Sequence, residues 1–305
     1  MKEQLRFIKD LPSKTVTIRN HSYPVQIDGS GKIPFLSIGI GSHLQMTLPV
    51  SLMENLKVYS TDLYWIASQG REQPEQLTME QIVDDIIEVI SQLKLSECLI
   101  AGFSCFGILA LEAAKRKDLR IKGVVLVSTP PGWDAEIIAA GQAYFDQQAS
   151  PERKLNDAQR KERFLKIKKP NESLGSVNAY AADAARYWRD FNLSQDFFNH
   201  LWQDIQVDDA IINHFFFTLL PKLDLRAQMD EVSVPVILFS GRLDFDSIPL
   251  QLWKSFEKPA NFAVIDCGET GHWPQLEEPV FFTRSFENWL EEQKMYVFKK
   301  SWQRT

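Results

Sequence analysis

Apolar runs and helix-spaced apolar residues take turns along most of the chain. Two β-like runs come first, residues 14–20 (KTVTIRN) and 22–29 (SYPVQIDG), with a polar break at His21 and Ser22. A Gly-rich turn then leads into a third run, 33–39 (IPFLSIG), and 55–62 (NLKVYSTD) is a fourth. From Thr78 the period changes. Thr78 and Gln81 have the spacing of a capping box. Ile82, Ile86, Val89, Ile90 and Leu93 follow at helical intervals, with Asp84, Asp85 and Glu88 expected on the outer face. Four continuous apolar strands come next, 97–102 (ECLIAG), 122–129 (KGVVLVST), 234–241 (VPVILFSG) and 261–268 (NFAVIDCG), interleaved with helix-like sequence.

Strands with no polar alternation are covered on both faces, so this pattern predicts an α/β fold, a mostly parallel eight-stranded sheet flanked by helices. The stretch 136–230 breaks the pattern. It is charged, helical in places and without a convincing strand, and it carries aromatic groups at Tyr187-Trp188, Phe197-Phe198, Trp202 and 215–217. It is expected to be a helical insertion between strands 6 and 7, with 1–135 and 231–305 forming the core. No internal repeat is evident. The end of the chain, 293–305 (QKMYVFKKSWQRT), reads as a helix end or frayed tail.

Composition narrows the classes of function. The chain has 305 residues, 44% of them hydrophobic, enough for a large core. Its net charge of −6 offers nothing to hold a polyanion, so nucleic acid is not an expected partner. No apolar run is long enough to span a bilayer, and the first residues lack the apolar segment of a secretory signal. Three cysteines, Cys98, Cys105 and Cys267, form no CxxC pair and read as buried thiols of a cytoplasmic protein. The five histidines show no metal-ligand spacing, so neither a metal nor a cofactor is implied.

Candidate chemistry begins at 101–107 (AGFSCFG), where a strand gives way to a helix. A serine on such a turn presents its hydroxyl at the carboxyl edge of the sheet, beside the N–H groups of the helix. The G-x-S-x-G fingerprint is altered, since Phe106 stands at the second glycine position and Gly107 follows it. Serine needs a base and a group to orient that base. Asp244 lies just beyond the strand 234–241, and His272 lies in the loop after 261–268, with Pro274 and Pro279 framing the final helix. Loops at strand carboxyl ends converge on one crevice, so Ser104, Asp244 and His272 can meet there. Asp246 is a competing acid; Asp244 is preferred for its spacing from Gly241.

Through 101–114 (AGFSCFGILALEAA), 235–249 (PVILFSGRLDFDSIP), 268–290 (GETGHWPQLEEPVFFTRSFENWL) and, more weakly, 183–191 (DAARYWRDF), the chain resembles the α/β-hydrolase superfamily, in particular its proline iminopeptidase-like serine hydrolases. The resemblance spans nearly the whole chain. It implies Ser104 as nucleophile, His272 as general base and then acid, and Asp244 as the residue orienting the imidazole. The amide of Cys105 would give one oxyanion-hole donor, and Ile40 the other, with Gly41 as runner-up. The insertion would then be a lid over the crevice.

Two departures from the family stand out. The usual His-Gly before the second donor is here Ile38-Gly39, and the usual Asp-x-Arg-Gly is Asp62-Leu63-Tyr64-Trp65, so that Tyr64 and Trp65 either line the pocket or pack beneath a loop. Phe106, Trp133, Tyr187, Trp188 and Trp273 are the expected substrate contacts, in an apolar pocket for a small molecule or short peptide. Asp183 and Asp190 are available to hold a substrate ammonium group. The expected activity is cleavage of a small ester or amide through an acyl-enzyme, with N-terminal-proline aminopeptidase and carboxylesterase both open. The alternative is a non-catalytic ligand-binding or signalling protein on the same scaffold, motivated by Phe106 and the missing histidine.

Overall fold

The computed structural model describes residues 5–6, 11–62, 76–167, 175–203, 205, 208–246, 248–255 and 257–295. The strands run β1 (Ser13–Ile18), β2 (His21–Asp28), β3 (Ile33–Ile38), β4 (Leu56–Ser60), β5 (Cys98–Phe103), β6 (Ile121–Val127), β7 (Val236–Ser240) and β8 (Phe262–Asp266). They form one sheet in the order β1-β2-β4-β3-β5-β6-β7-β8. β2 pairs antiparallel with β1 and β4, and every pairing from β4 to β8 is parallel.

Along the central strands side chains alternate between two cores. Leu36, Ile100, Leu126 and Leu238 join one apolar core, and Phe35, Leu99, Val125 and Ile237 join the other. The first core is closed by α2 (Met79–Gln92), α3 (Gly107–Lys115) and α10 (Pro249–Lys254), the second by α1 (Gly41–Thr47) and α12 (Pro279–Glu292). A short α11 (Pro274–Glu277) precedes α12, and a proline starts each of the two.

α2 begins with the capping box expected of it: the Thr78 side chain accepts from the Gln81 amide, and the Gln81 side chain accepts from the Thr78 amide. Ile82, Ile86, Val89 and Ile90 are fully buried. Asp85 departs from the expected outer face. It is buried, and the Arg19 guanidinium reaches it at 3.1 Å, so the β1–β2 turn covers a position that helical period alone assigns to solvent.

Between β6 and β7 the described chain is helical, with no strand. It comprises α4 (Ala135–Gln148), α5 (Pro151–Ile167), α6 (Gly175–Ala182), α7 (Ala184–Tyr187), α8 (Gln195–Trp202) and α9 (Asp209–His214), then a π-helical turn over Phe215–Leu219. No described helix is long and apolar enough to cross a membrane.

The junction from β5 to α3 depends on two backbones in contact. A Cβ on Gly102 would lie 2.5 Å from the Gly107 Cα and 2.6 Å from the Phe106 carbonyl oxygen. Gly102→Ala is therefore expected to destabilise the protein by about 1–3 kcal/mol, through forced separation of strand and helix. Urea unfolding of the variant measures this, and an unchanged midpoint would refute the steric account.

Candidate active site

Ser104 follows the last residue of β5 and is held at φ +55°. A non-glycine residue there costs on the order of 1–2 kcal/mol, which the surrounding packing must hold in place. Such a turn lifts the serine side chain out of the path of both strand and helix.

Phe106, at the altered motif position, is buried and turned toward the insertion. Its ring stacks on Phe215 at 5.3 Å and 3°, and meets Phe216 edge-on at 6.2 Å. Gly39 makes room for it: with φ +86°, its missing Cβ would lie only 2.4 Å from the Phe106 Cβ.

The loop after β7 carries Asp244 and the loop after β8 carries His272. Both side chains are fully buried, and His272 Nδ1 lies 2.6 Å from Asp244 Oδ2. A carboxylate can only accept, so Nδ1 bears the proton and Nε2 is the free base. Nε2 is buried without a hydrogen-bond partner, so the bond from Ser104 to the imidazole is not closed. Such bonds commonly tighten only in the Michaelis complex. Phe103, Trp273 and Tyr187 wall in the imidazole at ring separations of 4.8, 5.0 and 5.1 Å. The His272 Nδ1 hydrogen bond goes to Asp244 and not to Asp246. Asp246 shares a hydrogen bond with Tyr187, and burial followed by the nearby Asp244 charge pushes its carboxyl up to about 6.

From just beyond β4, the Asp62 carboxylate organises the loop after β3 at the entry to α1. It accepts the Ser42 amide at 3.0 Å, the Ser42 hydroxyl and the Gly41 amide. Ile40, just before, is the N-cap position of α1. Cys105 is buried in the helical turn that carries Ser104, and its thiol is driven well up by burial.

Ser104 opens on a cavity of about 320 Å³. Phe106 and Tyr187 line it, as do Ile40 and Asp183. Trp133, Trp188 and Trp273, expected at the substrate, are not on its wall. Trp188 and Trp273 are fully buried and stacked on each other at 4.2 Å and 5°, and Trp133 packs behind Phe216 at 5.7 Å. Asp183 is ion-paired with Lys161 at 3.2 Å, while Asp190 is exposed and accepts the Asn192 amide. Tyr64 and Trp65 lie outside the described residues.

His43, Tyr180 and Trp202, none of them among the expected substrate contacts, also line the cavity. His43 stacks on Trp202 at 4.7 Å, and burial, with His272 nearby, lowers its pKa to about 3, so it stays neutral. The one available signal was its place two residues after Gly41, at the end of the loop that follows β3. A larger depression of about 660 Å³ lies within the insertion and holds none of the candidate residues. Among the described residues no group of three His, Cys, Asp or Glu side chains is placed to hold a metal.

No protein-family model matches the chain. It is 26% identical over 271 residues to the AB hydrolase superfamily protein YclE of Bacillus subtilis, covering 88% of this chain and 94% of that one. The solved proline iminopeptidase of Mycobacterium smegmatis superposes with a TM-score of 0.67 over 93% of this chain and 99% of its own, at 17% identity. The chain has the α/β-hydrolase fold and is similar to members of that superfamily along nearly its whole length. It is also 23% identical to a pimeloyl-(acyl-carrier protein) methyl ester esterase of a Shewanella species, over 90% of this chain and 97% of that one. At these identities the structural likeness establishes the fold alone.

Asp246 gives a prediction with a definite sign. Its folded pKa, about 6, lies above the usual 3.8, so between those values the folded state binds more protons than the unfolded one. Stability from this group is complete below the lower value and is lost as pH rises through the upper one. Across that interval the unfolding midpoint of the wild type should fall relative to that of Asp246→Asn. A constant difference between the two would refute the assignment.

Proposed function

We propose that the protein is a serine hydrolase that cleaves a small carboxylic ester through an acyl-enzyme, with Ser104, His272 and Asp244 as its triad. The observation that carries this is the buried His272–Asp244 pair, in ring contact with Phe103 and Tyr187, both walls of the cavity on which Ser104 opens. In the acylation step Ser104 Oγ attacks the carbonyl carbon while His272 Nε2 takes the hydroxyl proton. The tetrahedral intermediate expels the alcohol, which receives that proton from His272. A water molecule, activated by the same nitrogen, then hydrolyses the acyl-serine. Asp244 holds the imidazole in the required tautomer.

The oxyanion is assigned to the amides of Cys105 and Ile40. Gly41 is the poorer second donor because its N–H is directed to Asp62. The missing family histidine at position 38 is compatible with this scheme, since backbone amides do the donating. Residues 136–230 act as a lid over the serine, on a core of 1–135 and 231–305.

The charges around the cavity favour an ester over an N-terminal prolyl peptide. A peptidase of that type must hold an ammonium group on a carboxylate. Here Asp183 is neutralised by Lys161, Asp246 is engaged by the Tyr187 hydroxyl, and Asp190 is at the surface. An uncharged substrate needs none of these, and the aromatic wall suits its apolar parts.

A fluorophosphonate probe should label the wild type at Ser104 and leave Ser104→Ala unlabelled. Hydrolysis of a short-chain aryl ester should fall at least about a thousandfold in Ser104→Ala, and prolyl-arylamide should be a poor substrate. Equal labelling of both proteins would refute the serine assignment. Turnover of prolyl-arylamide above that of the ester would move the reading to a peptidase.

A further inference from the structure

We propose that residues 184–189 of the insertion form a fixed strut, clamped by Glu277 and Arg153, that sets the register of His272 against Asp244, making Glu277 a positioning residue for the acid–base pair. The inference rests on the hydrolase reading above and concerns how its triad is held.

His272 and Asp244 sit on separate loops. Close to the sheet those loops are tied directly, by the Leu243 amide donating to the Thr270 carbonyl at 2.9 Å. Further out, where the two side chains meet, the ties run through the insertion. The Tyr187 carbonyl accepts the His272 amide at 2.6 Å, and the Arg186 carbonyl accepts the Phe245 amide at 2.8 Å. One short segment therefore grips the histidine itself and the neighbour of the aspartate. The Trp188 ring lies flat on Trp273, the residue after the histidine, at 4.2 Å.

Two buried charged groups fix the segment in turn. Glu277, 6% exposed, accepts the Arg189 amide on Oε1 at 2.9 Å and the Gly271 amide on Oε2 at 2.6 Å. A single planar carboxylate thus joins the strut to the residue before His272. Arg153, 5% exposed, donates to the carbonyls of Ala185 and Trp188 at 2.7 Å and of Arg189 at 2.9 Å. It also lies over the Phe245 ring at 5.4 Å. Burial pushes the Glu277 carboxyl up to about 7, against the pull of its hydrogen bonds and of Arg189 and Arg153. A buried charge is a poor source of stability. What Glu277 supplies is direction, by holding two N–H groups from two segments on one rigid group.

Glutamine at 277 has one carbonyl oxygen and one NH₂, so one of the two amides would face a donor. Lysine at 153 cannot bridge three carbonyls. The test follows the His272 Nδ1 proton by NMR in wild type, Glu277→Gln and Arg153→Lys, and measures aryl-ester kinetics on the same samples. The wild type should show a downfield imidazole N–H resonance from the bond to Asp244. In either variant that retains its circular dichroism spectrum, the resonance should broaden or move upfield. kcat should fall between about tenfold and a hundredfold while KM stays within about twofold. If Glu277→Gln fails to fold, Arg153→Lys decides. A folded variant with a lower melting temperature but unchanged resonance and kcat would reduce the two residues to structural supports and overturn the proposal. The resonance needs no substrate, so a wild type that hydrolyses no ester would count against the hydrolase reading and leave the strut to be judged on the spectrum.

Discussion

Everything at the site depends on how closely β5 and α3 approach each other. Gly102 and Gly107 touch through their backbones, and nothing larger than hydrogen fits at Gly102. That contact forces the chain to reverse within a few residues, and Ser104 takes the left-handed conformation because the turn leaves it no other. The strain is local and the packing that holds it is extensive: β5 is buried along its whole length, with bonded strands on both sides. The hydroxyl's position is therefore set by the sheet, whatever the insertion does above it.

How much of this was legible in the sequence depends on the range of the forces involved. All eight strands, the capping box of α2 and the prolines opening α11 and α12 were readable because each is decided by residues close together in the chain. The proximity of Asp244 and His272 was readable for a different reason: the topology brings strand-end loops together whatever their side chains. Contacts between distant segments were not readable. Asp85 looked like a surface residue until Arg19 closed over it, and Trp188 and Trp273 looked like pocket residues although each buries the other's face. Aromatic character marks a residue as apolar and large, and it does not say which neighbour will cover it. His43 shows the converse: a polar residue in the first turn of α1, on the cavity wall only because Trp202 of the insertion lies against it.

The segment between β6 and β7 is packed into the body of the protein. Its apolar side chains enter both cores, with Phe197 and Phe198 in one and Ile211 and Phe215 in the other, so it is docked on both faces of the sheet. Some of its charged residues are partnered locally, as in the pair between Lys161 and Asp157 at 3.0 Å, while Arg189 pairs with Glu278 beyond it. The wall of the cavity formed by Ile212, Phe216 and Phe217 is its outer one, where Phe217 is 72% exposed. The side bonded to the histidine loop is the anchored one.

Phe106 and Gly39 carry a consequence for anyone exchanging parts among such proteins. The two positions share one volume: bulk at the elbow is accommodated by emptiness in the loop after β3, and a side chain at both would overlap at 2.4 Å. They behave as a single steric unit split across two strand ends. The turn transplanted from this chain would need its partner loop to travel with it, and a library that varies position 39 alone would sample mostly misfits.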